Sequence, residues 1–340
     1  MMRAARWYGR GDVRVEETPD PGEPARGEAI LRVRRVGLCG SDRREFLAGP
    51  VLIPGEPHPL TGRCAPLTLG HEIVGEAVSV GESRDTELLG HRFAVDPTIS
   101  CGRCRACRRR EGNLCSTAAC LGVSADGGLA TFVAVRVSNL VPVPDSVPDE
   151  HAVLAEPLSV ALHAMDRAGL RPGERVLVSG FGPIGAGVVL AARASGAADV
   201  IVLEPDPERR SRAADAGARP FPPSAARREL RSFADVGFEC SGAPGALESV
   251  LRVVRPGGRV VVPAINADPA VLDLRRLVLS ERAVLGSIGY RGDVARAVSM
   301  LASGVLDPSV LAGPTIGLDA VPGWFADPGP TAPMKVLVAP

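Results

Sequence analysis

The chain has 340 residues, more than one hydrophobic core usually serves, so about two domains are expected. Thirty-nine basic residues balance thirty-nine acidic ones, which argues against a nucleic-acid binder, and a hydrophobic content of 45% excludes a disordered chain. Thirty-eight of the basic residues are arginine and only Lys335 is lysine, a scatter that reads as the codon bias of a GC-rich genome.

In chain order, the first residues show no apolar run behind their arginines and do not read as a secretory signal. Ala29–Val36 and Ile73–Val80 read as strands broken by Gly and Pro, making the first 150 residues β-rich. Leu140–Pro148 carries three prolines and marks a boundary. Beyond it the texture changes. Arg175–Ser179 reads as a strand, followed by glycines and an alanine-rich helix from about Ile184 to Ser195. Val200–Leu203, Val236–Cys240 and Arg259–Val262 read as further strands, with a helix near Pro207–Ala216. Alternation of strands and helices predicts an α/β fold, a Rossmann-type doubly wound parallel sheet. The uncharged run Val176–Ala192 is long enough for a membrane helix, but its glycines fit a strand, a turn and a helix, so no membrane span is expected. Short strands return near the end, closing in Lys335–Val338.

Gly180-Phe-Gly-Pro-Ile-Gly185 fits the pattern G-x-G-x-x-G directly after a strand and at the start of a helix. Gly180 permits the tight turn, Gly182 lets a pyrophosphate approach the backbone, and Gly185 lets helix and strand pack closely. Pro183 and Ile184 open the helix, whose free N–H groups and dipole favour the phosphates. Glu204 ends the second strand, where a carboxylate accepts the adenosine ribose hydroxyls and repels a 2′-phosphate. That predicts NAD over NADP, a preference that Arg209 and Arg210 would weaken. A glycine turn without a ligand is the alternative.

Eight cysteines are present, and four of them, Cys101, Cys104, Cys107 and Cys115, crowd into one Arg- and Gly-rich loop. Four thiolates can close tetrahedrally on Zn2+ and leave no position for a substrate, so this metal is expected to be structural. Disulfides suit a small secreted chain better than this one, and a redox pair would leave two thiols unexplained. A reducing cytoplasm is the expected compartment. Cys39, His71 and Glu156 each have a plain reading alone: a core thiol, a polar residue near a turn, a helix cap.

Gly37-Leu-Cys-Gly-Ser-Asp42, Leu69-Gly-His-Glu72, the four-cysteine lobe, Glu156-Pro-Leu-Ser-Val-Ala-Leu-His-Ala164 and the glycine loop stand in the order and spacing of the zinc-dependent medium-chain dehydrogenase/reductase (alcohol dehydrogenase) family, which the chain resembles over nearly its whole length. Glu45–Pro54, His58–Gly62, Leu67–His71 and Gly286–Asp293 resemble its 2,3-butanediol/sorbitol dehydrogenase branch. The resemblance implies a β-rich GroES-like catalytic domain over 1–150, with a structural zinc lobe at about 96–120, a Rossmann NAD-binding domain over 151–290, and a return to the catalytic domain over 291–340. It implies that Cys39, His71 and one or both of Glu72 and Glu156 bind a catalytic zinc with an open position. Ser41 resembles the family's hydroxyl relay; as an alternative it caps a helix beginning near Asp42. The implied activity is hydride transfer between NAD and the carbon of a small secondary alcohol or ketone, such as a vicinal diol, hydroxyketone, polyol or aminocyclitol. A biosynthetic tailoring reductase acting on a larger intermediate and a non-catalytic NAD-binding protein are the alternatives. A homodimer or homotetramer is expected, through edge pairing near Val284–Ile288. One departure stands out. The branch usually places a histidine five residues after the cysteine ligand to pass on the proton. Here that residue is Arg44, which cannot release a proton near neutral pH. Arg44 then reads as a group for the cofactor ribose or pyrophosphate, for an anionic substrate group, or as exposed surface.

Overall fold

The computed structural model describes residues 1–224, 230–265, 269–329 and 333–340. By compactness the chain divides into one unit of Met1–Glu156, Val294–Ala302 and Ala312–Pro340, and a second of Pro157–Asp293 and Ser303–Leu311. The first division falls between Glu156 and Pro157, a little beyond the proline-rich boundary read from the sequence.

The first unit is built from antiparallel strands. β1 (Met2–Gly9) pairs with β2 (Asp12–Thr18) and with β4 (Leu67–Thr68). β3 (Glu28–Gly37) is central to a larger sheet, between β5 (Glu72–Val80) and the late strand Leu337–Ala339, and β9 (Phe132–Arg136) also pairs with it. β6 (Arg92–Val95) and β10 (Leu140–Pro142) continue that sheet beyond β5. β7 (Thr98–Ile99) and β8 (Ala119–Cys120) form a small pair at the base of the cysteine loop. Half-buried strands alternate inward and outward side chains; with a register shift between Val33 and Arg35, β3 buries Leu31, Val33 and Val36, which pack with Leu67 and Ile73 and with Leu69 and Leu129 from the connecting segments. The register decides the chemistry: pairing of β3 with β5 sets Gly37 opposite Glu72, and pairing of β3 with the late strand sets Val36 opposite Val338.

The second unit is one parallel sheet of six strands. They are β11 (Arg175–Ser179), β12 (Asp199–Leu203), β13 (Arg219–Phe221), β14 (Ala234–Glu239), β15 (Val254–Val262) and β16 (Ala283–Gly286). Their order is β13-β12-β11-β14-β15-β16, the doubly wound order in which ligands sit beyond the carboxyl ends where strand order reverses, between β11 and β14. Its central strands β11, β12 and β14 are buried along nearly their whole length, and β11 and β12 read as runs of Val, Leu and Ile, as parallel strands covered on both faces do. Helix α3 (Pro183–Ala194) follows β11, and its face of Gly185, Ala186, Val188, Val189 and Ala192 is buried. The strands and helices expected from the sequence lie within a residue or two of those found at β11, β12 and α3. The fold class, a Rossmann-type sheet with a GroES-like domain, is as the sequence implied.

Candidate metal centre and nucleotide loop

Cys39 is the N-cap of helix α1 (Gly40–Ala48), with extended backbone at φ −96° and ψ 151°. Its N–H donates to Asp42 Oδ2 at 3.1 Å, so the first turn of the helix fixes the cysteine. Because the cap is Cys39, Ser41 lies inside the helix rather than capping it, and its hydroxyl oxygen is buried with no hydrogen-bond partner. His71 and Glu72 follow Gly70, whose φ of +91° suits glycine, and β5 then begins at Glu72. Opposite, Gly37 has no room for a side chain: a Cβ there would lie 1.9 Å from Glu72 Oε2.

These elements bring one donor atom each of Cys39, His71 and Glu72 within 4.8 Å of one another. Donors on a tetrahedral zinc stand about 3.5 Å apart, so a small contraction closes the group on an ion. His71 is buried, and its Nδ1 lies 3.5 Å from Asp42 Oδ1. Burial alone would lower the His71 pKa, but the charges of Asp42 and Cys39 outweigh it and hold the imidazole well above its ordinary value. An acid behind an imidazole orients a metal ligand in just this way. The donor set of thiol, imidazole and carboxylate, with the buried and unpartnered Ser41 hydroxyl beside it, fits zinc.

Glu156 stands at the second position of the helix α2 (Ala155–Ala168) and does not join this group of close donors, although its charge bears on Lys335 and Cys120. The residue the sequence reading missed is Lys335. Its Nζ donates to Glu72 Oε1 at 2.6 Å, to Glu72 Oε2 at 2.8 Å and to Leu38 O at 3.2 Å. Lys335 is 2% exposed and Glu72 0%. The one signal available in the sequence was that a chain with a single lysine keeps it here. Burial alone would lower the Lys335 pKa, but the charges of Glu72 and Cys39 raise it above the usual value.

The second group is Cys101, Cys104, Cys107 and Cys115, again with donor atoms within 4.8 Å of one another. Cys107 Sγ lies 3.5 Å from Cys104 Sγ and 3.9 Å from Cys101 Sγ, close to the edges of a ZnS4 tetrahedron. Backbone N–H groups point at the sulfurs: Cys101 donates to Cys115 Sγ at 3.4 Å, Cys104 to Cys101 Sγ at 3.3 Å, and Thr117 to Cys115 Sγ at 3.4 Å. Hydrogen bonds from the Cys107 and Ser116 backbone pull the Cys104 thiol down to about 5, whereas burial and its sulfur neighbours push Cys107 up to about 11. The other thiols differ. Burial pushes Cys120 up to about 12 and raises Cys240 as well, which keeps both protonated and inert.

In the second unit, Gly180 turns at φ +89° and Gly182 caps α3, with Pro183 as its first residue and Ile184 and Gly185 in its first turn. A Cβ on Gly185 would meet Gly180 O at 2.0 Å, whereas one on Gly182 would meet nothing within 4 Å. Glu204 follows β12 and is buried. Its Oε2 accepts from Phe181 N at 2.7 Å and its Oε1 from Asp206 N at 3.0 Å, so the acid also clamps the glycine turn. Each carboxylate oxygen keeps a further lone pair for a ribose hydroxyl. Arg209 donates its N–H to Asp206 Oδ1 at 2.9 Å, and the Arg210 guanidinium is tied to Glu204 O and Pro205 O. Arg44 is half-buried on α1.

The alcohol dehydrogenase GroES-like domain family matches residues 25–145, and the zinc-binding dehydrogenase family matches residues 183–303. Among curated proteins, the (R,R)-butanediol dehydrogenase of Bacillus subtilis (strain 168) is 35% identical, with 100% of each chain covered. The sorbitol dehydrogenase of the same strain is 33% identical, covering 90% of this chain and 87% of that one. Among solved structures, a Sinorhizobium meliloti 1021 protein crystallised with NADP superposes with a TM-score of 0.91 at 30% identity, covering 100% of this chain and 99% of that one. The chain belongs to the zinc-dependent medium-chain alcohol dehydrogenase family. It is an oxidoreductase acting on CH–OH groups, and zinc and a nicotinamide nucleotide are its cofactors.

Proposed function

We propose that the chain interconverts a secondary alcohol and its ketone on a small vicinal diol, hydroxyketone or polyol, with NAD as the hydride carrier. The observation that carries this is the close group of Cys39, His71 and Glu72 beside the buried, unpartnered hydroxyl of Ser41. Zinc held there would polarise the substrate hydroxyl and lower its pKa, and NAD would receive the hydride. Cys39 and His71 hold the metal, with Glu72 or Glu156 as the acidic ligand. Asp42 orients His71. Ser41 takes the substrate proton and hands it on. Arg44 cannot continue that relay, so water does, and Arg44 binds a cofactor phosphate or an anionic group of the substrate. In the other unit, Gly182 and the first turn of α3 receive the pyrophosphate and Glu204 the adenosine ribose, with Arg209 at the edge of that subsite. The four-cysteine lobe holds its zinc for structure alone.

The butanediol and sorbitol dehydrogenase names of the relatives support this substrate class. The arginine at position 44 favours a second reading, a tailoring enzyme for a larger, anionic biosynthetic intermediate. Among the described residues β16 pairs only with β15 and ends its sheet, and Val278 and Leu279 are exposed; such an edge supports a homodimer or homotetramer. Eight free cysteines support a cytoplasmic location, and among the described residues no helix is long and apolar enough to cross a membrane. The test is zinc-loaded protein with NAD and a panel of diols and polyols, read at the reduced-nicotinamide absorbance band. Turnover of a vicinal diol is expected. Silence across the panel by a protein that binds NADH would overturn the substrate assignment.

A further inference from the structure

Two acids stand on either side of the end of β11. Ser179, its last residue, pairs with Leu203 of β12 and with Glu239 of β14, which places Glu204 and Glu239 beside the glycine turn. Glu239 is 0% exposed, and among the described residues no cation pairs with it. Sealing a carboxylate from water without a counter-ion is costly unless hydrogen bonds offset it. Here they come from the turn that follows. Ser241 N, Ser241 Oγ and Gly242 N donate to Glu239 Oε1 at 2.9, 2.5 and 3.1 Å, and Gly242 N also reaches Oε2 at 3.3 Å. Ser241 Oγ accepts in turn from Ala243 N at 3.2 Å, and Gly242 closes the turn at φ +64°. Ser241 and Ala243 are exposed, whereas the acid that anchors them is fully buried.

The turn at 241–243 abuts the glycine loop. Cys240 N donates to Ser179 O at 2.9 Å, and a Cβ on Gly180 would meet Ser241 Cβ at 2.8 Å and Ser241 Cα at 3.0 Å. In an open parallel sheet a ligand lies where strand order reverses, and here that crevice opens between the loops after β11 and β14. The glycine loop is one wall of it and the turn at 241–243 is the other. Resting on the nucleotide site proposed above, we infer that Glu239 is a positioning residue for the dinucleotide. It fixes the turn at Ser241, and the turn holds Gly180 and the loop beyond it in the form that receives the pyrophosphate. A wall set in advance spares the nucleotide the cost of ordering it, so release of the turn shows as lost affinity.

The experiment combines NADH fluorescence titrations at room temperature with thermal scans in the absence of nucleotide. Glu239→Ala, Glu239→Gln and Ser241→Ala are compared with the native chain, and Gly182→Ala serves as the control for the crevice. Glu239→Ala leaves Ser241 N and Gly242 N without their acceptor, and NADH affinity is expected to fall at least about tenfold. Glu239→Gln keeps an amide oxygen where Oε1 stood, and affinity should return to within about threefold of native. Ser241→Ala removes only the hydroxyl link, so affinity should fall by about threefold to tenfold while Tm stays within about 2 °C. A glutamate that serves the fold alone would lower Tm in Glu239→Ala and leave the folded protein with native NADH affinity, and that result overturns the inference. Equal losses in Glu239→Gln and Glu239→Ala overturn it as well. If Glu239→Ala does not fold, native NADH affinity in Ser241→Ala is the overturning result. Native affinity in Gly182→Ala would overturn the nucleotide site itself, whereas a loss there beside native affinity in Glu239→Ala overturns this inference alone.

Discussion

Gly182 and Gly185 make a paired test, because the structure gives them opposite jobs. At Gly185 a Cβ would stand 2.0 Å from Gly180 O, more than an ångström inside van der Waals contact. The obstacle is backbone held between β11 and α3, so the two elements must part. Overpacking of this kind costs about 1–3 kcal/mol. In a body of this size that corresponds to a fall in Tm of about 2–12 °C. At Gly182 a Cβ meets nothing within 4 Å, and its φ of −84° suits any residue. Gly182→Ala should leave Tm within about 1 °C, since surface changes of this kind lie within about 0.5 kcal/mol. The new methyl instead occupies the space where a pyrophosphate reaches the backbone, and NADH affinity should fall at least about tenfold. Thermal scans without nucleotide and NADH fluorescence titrations give both numbers. Native NADH affinity in Gly182→Ala, or an unchanged Tm in Gly185→Ala, would refute the argument.

Cys107→Ser opens the lobe tetrahedron, so zinc analysis should show one metal fewer per chain and a lowered Tm. Arg44→His restores a group able to titrate near neutral pH, and the pH profile of kcat should gain a break near 6–7 that the native enzyme lacks. Asp149 accepts from Arg34 at 2.7 Å and from Arg92 at 2.7 Å. Burial alone would raise its pKa, but these two hydrogen bonds outweigh it and hold the carboxyl below its ordinary value. A depressed carboxylate contributes stability above the unfolded pKa and loses it as pH falls through the folded value. Asp149→Asn should therefore cost about 2 kcal/mol in urea denaturation at pH 7, with the gap from the native chain closing as pH falls below the ordinary aspartate value of about 4. An equal gap at both pH values would contradict this reading of Asp149.

Parts of the molecule were legible because their signals are local. The glycine loop needs only a strand, a turn and a helix in succession, and the cysteine lobe closes within one short loop, so spacing reveals both. The Cys39, His71 and Glu72 group was different. Its members lie on a helix cap and at a strand start, joined by sheet register, and only the family resemblance placed them together. Lys335 was not legible as a partner of Glu72, because the pair is 263 residues apart in sequence and its contact depends on a late strand returning to β3. Glu204 was read as a ribose acceptor, and its clamp on Phe181 N appeared only once the backbone of the turn was in view.

The proposition that the account depends on is that Cys39 and His71 share one ion, separate from the ion of the cysteine lobe. Zinc content per folded chain tests it most directly, measured on the native chain and on Cys39→Ser after gel filtration. Two zinc ions are expected in the native chain and one in Cys39→Ser. A native chain with a single zinc, or a Cys39→Ser chain that retains two, would contradict it.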